Sequence, residues 1–169
     1  MNRPLAPFAA LALAGLLLLA PVPLCASAAR PQETPALKAT ETAGQGDAQA
    51  QAQYQVLREY FERQATLDDR LPEVFSRRVR QEETLAFLTV RETVNRRGNL
   101  ERFRLATVDL SGLTFRRITA DPDLARIQVM GSYTLSVPPV VETIEEDALF
   151  VLLPEMGQWK IYERREGWR

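Results

Sequence analysis

Histidine is absent from the 169-residue sequence, cysteine occurs once, and lysine twice against 19 arginines. Without histidine there is no Ser-His-Asp triad and no His-liganded zinc site. The lone Cys25 excludes an intramolecular disulfide framework and any C-x-x-C motif. A basic excess is missing too: the formal net charge is -1, which argues against nucleic acid as a partner. A phosphate-binding glycine-rich loop, a Walker lysine and a basic–aromatic repeat are likewise lacking.

The long apolar run comes first. Residues 1–28 read as a secretory signal peptide: Arg3 supplies the positive charge, and residues 8–20 form an apolar stretch of 13 residues. Pro21 and Pro23 break it, and Ala26-Ser27-Ala28 fits a small-x-small cleavage site. The stretch falls short of the roughly 20 apolar residues that span a bilayer. The protein is therefore expected to be exported, with the periplasm as its compartment. Two alternatives place it on a membrane. One is lipidation of Cys25, although Leu24 stands where a lipobox carries Gly or Ala; the other is retention of the leader as an anchor.

Residues 29–53 are rich in Ala, Gln, Thr and Pro and hold no aromatic residue, a composition that cannot offset its own ordering entropy. They read as a tether, with the Ala-Gln alternation of 48–53 able to extend the next helix backwards. A single domain is expected over 54–169.

Within it, Tyr54, Leu57, Tyr60, Phe61 and Ala65 make one stripe of an amphipathic helix. A shorter helix is expected over 71–79, where Pro72 suits the first turn. Residues 81–95 are read as helix, although their Thr and Val content also allows strand, with Arg97-Gly98-Asn99 as a hairpin turn. Residues 100–110 lean to strand. From 113 onward the pattern is β: a strand over 113–120, a turn at Asp121-Pro122-Asp123, then strict alternation from Ile127 to Val137 with Gly131 as a bulge or bend. Pro138-Pro139 ends that strand. A continuously apolar strand follows over 148–153, a turn at 154–157, and a last strand over 158–164 with Trp159 and Ile161 on one face.

Helices followed by long antiparallel strands, with a closing Gly157-x-Trp159-Lys160-Ile161 hairpin and the strand from Glu145 to Leu153 before it, resemble the nuclear transport factor two-like superfamily. The resemblance covers residues 54–165. It implies an α+β fold in which a curved antiparallel sheet wraps the amino-terminal helices into a cone with a pocket. Enzymes of that superfamily, ketosteroid isomerases and polyketide cyclases among them, place an acid or base in the cone opposite a tyrosine or a protonated aspartate.

The candidate pocket residues are Tyr60, Tyr133 and Trp159, each read more readily as core than as pocket lining. Asp109 would enter the cone only if it were not a strand-end turn residue. Tyr133 would serve an enzyme as an oxyanion donor. Glu142, Glu145, Glu146 and Asp147 read as a solvated acidic loop rather than a metal site. Arg77, Arg78 and Arg80, with Arg96, Arg97, Arg102 and Arg104, form a basic stretch suited to an anionic surface, yet residues 58–104 hold 11 Arg against 9 acidic residues. No catalytic set, metal site or cofactor is expected. The reading favours a non-enzymatic module that binds a peptide, a small hydrophobic ligand or an envelope protein, with a homodimer left open. The alternatives are an isomerase- or cyclase-type enzyme using an acid in the cone, and an anchored part of an envelope secretion or assembly complex.

Overall fold

The computed structural model describes residues 45–167; the expected leader, Cys25 and most of the expected tether lie outside the described residues. Helix α1 (Gln45–Thr66) starts within the stretch read as tether and carries the Ala-Gln alternation as helix. Gln53, Val56, Leu57, Tyr60, Phe61 and Ala65 are buried on one side of it, at the spacing of a single helical stripe. Arg63 on the other side bonds Glu59 at 3.0 Å and the Arg70 carbonyl at 2.9 Å, which ties the helix end to the loop that follows.

The helix expected over 71–79 is only a 3-10 turn, Leu71–Val74, with Pro72 in its first turn. Phe75 leaves it with extended backbone (φ -88°, ψ 146°) and bridges Ile161, while the Ser76 N–H bonds the Ile161 carbonyl at 2.8 Å. Pairing with a sheet edge here overrides local helix propensity. Helix α2 (Arg80–Arg96) forms as expected and buries Glu83, Phe87 and Val94. The Arg97-Gly98-Asn99 turn joins two helices rather than two strands, with Gly98 at φ +70°. Beyond it α3 (Leu100–Arg104) buries Phe103, so the strand expected over 100–110 shrinks to β1 (Thr107–Asp109).

Four further strands follow: β2 (Leu113–Asp121), β3 (Leu124–Val137), β4 (Val140–Glu155) and β5 (Gln158–Glu166). All pairings are antiparallel, in the order β1-β3-β4-β5, with β2 also on β3. β1 pairs with residues 134–136 of β3 and β2 with residues 124–131, so the two share one edge and β3 bends between them. The bend demands glycine twice. A Cβ on Gly131, which sits at φ +117°, would lie 2.2 Å from the Gly112 carbonyl oxygen, and one on Gly112 would lie 2.5 Å from that of Ser132. The β4–β5 turn, Met156-Gly157, has positive φ at both positions, as a two-residue hairpin of matching twist requires.

The result is α+β: helices packed on a curved, unclosed antiparallel sheet. Its core joins Leu57 and Phe61 of α1 to Ile127, Val129, Phe150, Leu152 and Ile161 of the sheet. β4 is far longer than the expected 148–153, because the acidic stretch before it is strand and not loop. Strand alternation then sorts its charges. Glu142 and Glu146 share a face with Phe150 and Leu152, while Glu145 and Asp147 point the other way.

Candidate functional site

Two places concentrate chemistry, one inside the cone and one on its flank. Inside, Glu146 stands across from Gly131 in the β3–β4 register, where the Gly112 backbone presses against β3. Arg164 comes from β5, where a register shift near Val151 and Leu152 sets it opposite Phe150. Its Nη2 donates to Glu146 Oε1 at 2.8 Å, its Nη1 donates to Glu166, and its guanidinium lies 5.8 Å from the Phe150 ring centre. Only 13% of the Arg164 side chain and 5% of the Glu146 side chain is exposed. A buried pair of this kind recovers its desolvation cost only through good geometry, so loss of either partner strands the other. The Arg164 Nε–H is buried without a hydrogen-bond partner.

Three more titratable groups surround the pair. Burial raises the Glu146 carboxyl above its usual range even though Arg164 pulls the other way. Glu83 of α2 is pushed up to about 7, by burial first and by the neighbouring Glu82 second. Burial lifts the Tyr133 phenol to about 12 and the Tyr60 phenol further still. Both tyrosines are therefore neutral donors at any ordinary pH. Phe61 touches each of them, with ring centres 5.2 Å from Tyr60 and 5.3 Å from Tyr133, and Tyr60 also packs edge-on against Phe75 and Phe150. This interior combines an acid poised near neutrality, two phenols and one guanidinium among aromatic rings. It can hold a proton or offer hydrogen bonds in a place of low dielectric.

On the flank, a groove of about 470 Å³ runs between α1, the 3-10 turn and the β4–β5 hairpin. Val56, Val74 and Trp159 give it apolar walls, and Glu59, Arg63, Glu73 and Lys160 line it with charge. Those charges are already engaged: Lys160 Nζ donates to the Glu73 carbonyl at 2.8 Å, and Arg63 pairs with Glu59 and Glu73. Burial and the nearby Arg80 lower the Lys160 pKa.

The structure thus divides the residues singled out from sequence. Tyr60 and Tyr133 come together inside the cone, and Trp159 is half-buried on the groove wall, outside it. Asp109 is an exposed residue at the end of β1 whose carboxylate accepts the Ser111 N–H at 2.9 Å, a bond that holds its pKa down. The basic stretch is dispersed: Arg80 bonds the Phe75 carbonyl, Arg102 the Pro138 carbonyl, and Arg104 pairs with Glu101. Sequence reasoning missed Glu83 and Arg164. Glu83 shares a helical stripe with Phe87 and Val94, a signal that was legible, whereas Arg164 faces inward only because of the β4–β5 irregularity.

Among the described residues no group of acidic side chains is placed to hold a metal ion, and no helix is long and apolar enough to cross a membrane. No family model, curated protein or solved structure matches the chain.

Proposed function

We propose that this chain is an exported, non-enzymatic binding module of nuclear transport factor two-like architecture, and that its ligand occupies the groove beside Trp159. The leader pattern of residues 1–28 supports export to the periplasm. The observation that carries the binding reading is the groove itself: about 470 Å³, with an aromatic wall and a few fixed polar groups, within the size range of small-ligand and peptide-side-chain sites. The ligand class it suits is a short peptide or a small amphipathic molecule. An indole face takes apolar or cationic groups, and Gln55 and Gln158 offer amide hydrogen bonds at the rim.

Titration of a panel of short peptides and medium-chain fatty acids, read by Trp159 fluorescence in a Trp168→Phe background, tests this. Ala52→Phe, an exposed position on the groove wall, should plug the site. It should weaken binding by at least about tenfold, equivalent to 1.4 kcal/mol, while leaving the melting temperature unchanged. Binding that survives the plug overturns the assignment of the groove.

A second reading, an isomerase- or cyclase-type enzyme, draws on one observation: Glu83 is held near 7 among two buried phenols and a guanidinium. Any turnover found should then fall by about 100-fold or more in Glu83→Gln and Tyr133→Phe. Turnover untouched by both substitutions would exclude it. Mass spectrometry of the mature amino terminus separates a free periplasmic protein, starting at Ala29, from an anchored component of an envelope assembly.

A further inference from the structure

We propose that the outward side of α2 is a homodimer interface, with a second copy of this chain packed antiparallel against it about a two-fold axis. The inward side of α2 is used up by Glu83, Phe87 and Val94. The opposite side carries Leu85 and Leu88, one turn apart, with 61% and 46% of their surfaces exposed. A hollow of about 400 Å³ lies beside Leu88, lined by Leu100 of α3 and by the polar side chains of Arg91, Glu92 and Asn95. Two exposed leucines on neighbouring turns, bordered by polar groups, give a helix partner a small apolar seat with a polar rim.

The charge pattern selects the partner. The helix begins with Glu82 in its first turn and ends with Arg96, followed by Arg97, all exposed. Acid at one end and base at the other is self-complementary only when two copies run antiparallel, which is the arrangement a two-fold axis produces. With the axis beside Leu88 and Thr89, Glu82 of each copy lies opposite Arg96 of the other, since the two positions are equally far from the midpoint. Helical geometry puts them on the same flank: with 100° per residue, the fourteen residues from 82 to 96 bring the chain round to within 40° of its starting direction. Leu88 of each copy then meets its counterpart near the axis. The intrahelical Glu92–Arg96 pair does not compete strongly, because it is 3.6 Å long and both side chains are more than half exposed. An acidic peptide or an anionic membrane would use Arg96 and Arg97 but would be repelled by Glu82, so the second copy fits the whole surface better.

Sedimentation equilibrium of the purified full chain tests the proposal. The expected result is a concentration-dependent dimer that Leu88→Glu converts to monomer without changing the far-ultraviolet circular dichroism. Glu82→Arg and Arg96→Glu should each weaken association by about tenfold or more, and the Glu82→Arg/Arg96→Glu double variant should restore it, because the swapped charges again face each other. A mass that stays monomeric up to about 1 mM, a dimer indifferent to Leu88→Glu, or a double variant no better than its parents would each overturn it. Strengthening of anionic-vesicle binding by Glu82→Arg in a chain that stays monomeric would assign the surface to a membrane instead.

Discussion

The interior of the cone and the Trp159 groove are built from the same residue types, aromatics flanked by Glu and Arg, yet they differ in what surrounds each charge. In the groove, Arg63 is largely covered but its partners Glu59 and Glu73 keep access to water, so the pairing is worth little and the carboxylates can be re-paired by a ligand. Inside, Glu146 and Arg164 have almost none, so removing either one strands the other. The interior charges are thus closed around one another, whereas the groove's carboxylates stay at the surface.

Substitutions can break this contrast. The largest effect should come from Phe150→Ala, which removes a fully buried ring that Tyr60 and Phe61 both pack against. Urea denaturation should show a loss of about 3–5 kcal/mol. Arg164→Leu should cost a similar or slightly smaller amount, about 3–5 kcal/mol at pH 7, because it strands the Glu146 carboxylate. Adding Glu146→Leu should return most of that loss. A double variant as unstable as the single one would mean the interior pair is not the controlling interaction.

Stability should also depend on pH through Glu83. Its folded pKa of about 7 lies above the ordinary value of 4.5, so the folded chain holds this proton more tightly than the unfolded chain does. The associated stability is fully present below about pH 4.5 and is lost as pH rises toward 7, by up to about 3 kcal/mol. The raised Glu146 acts in the same direction. Asp68, held down by its hydrogen bond from Arg70, acts oppositely and loses its contribution as pH falls below its ordinary range. Glu83→Gln should flatten the decline between pH 5 and 8 in denaturation midpoints, and an unchanged slope would remove Glu83 as its source. The smallest effect belongs to the groove: Trp159→Ala, at a half-buried position, should cost only about 1–2 kcal/mol. A loss above about 3 kcal/mol would make Trp159 a core residue and erase the distinction between the two regions.

Much of the fold was legible residue by residue. The period-two alternation of 127–137 is the inner and outer face of β3, and the stripe from Leu57 to Ala65 is the buried side of α1. Where reading failed, a distant segment intervened. Phe75 is extended because the edge of β5 pairs with it, which truncates a helix that Pro72 and Leu71 would otherwise start well. Residues 100–104 are helical because Phe103 finds its place in the core from a helical turn. Of the site residues, Tyr60 and Tyr133 were found by their apolar periodicity, whereas Trp159 shares a face with Ile161 but lies at the end of the sheet, where α1 leaves a groove instead of covering it.

By itself the sequence determined the exclusions and the layout: without histidine, and with one cysteine, a Ser-His-Asp triad, a His-liganded zinc site and an intramolecular disulfide are ruled out, and helices are followed by β-strands. Those are properties of residue type and local period, which neighbours in the chain decide. Only the tertiary structure decided which acids of β4 are buried. Glu145 and Glu146 are adjacent and identical in sequence, yet one faces solvent and the other the cone. The pleat of β4 assigns them opposite faces, and the curve of the sheet at Gly131 closes over one face alone.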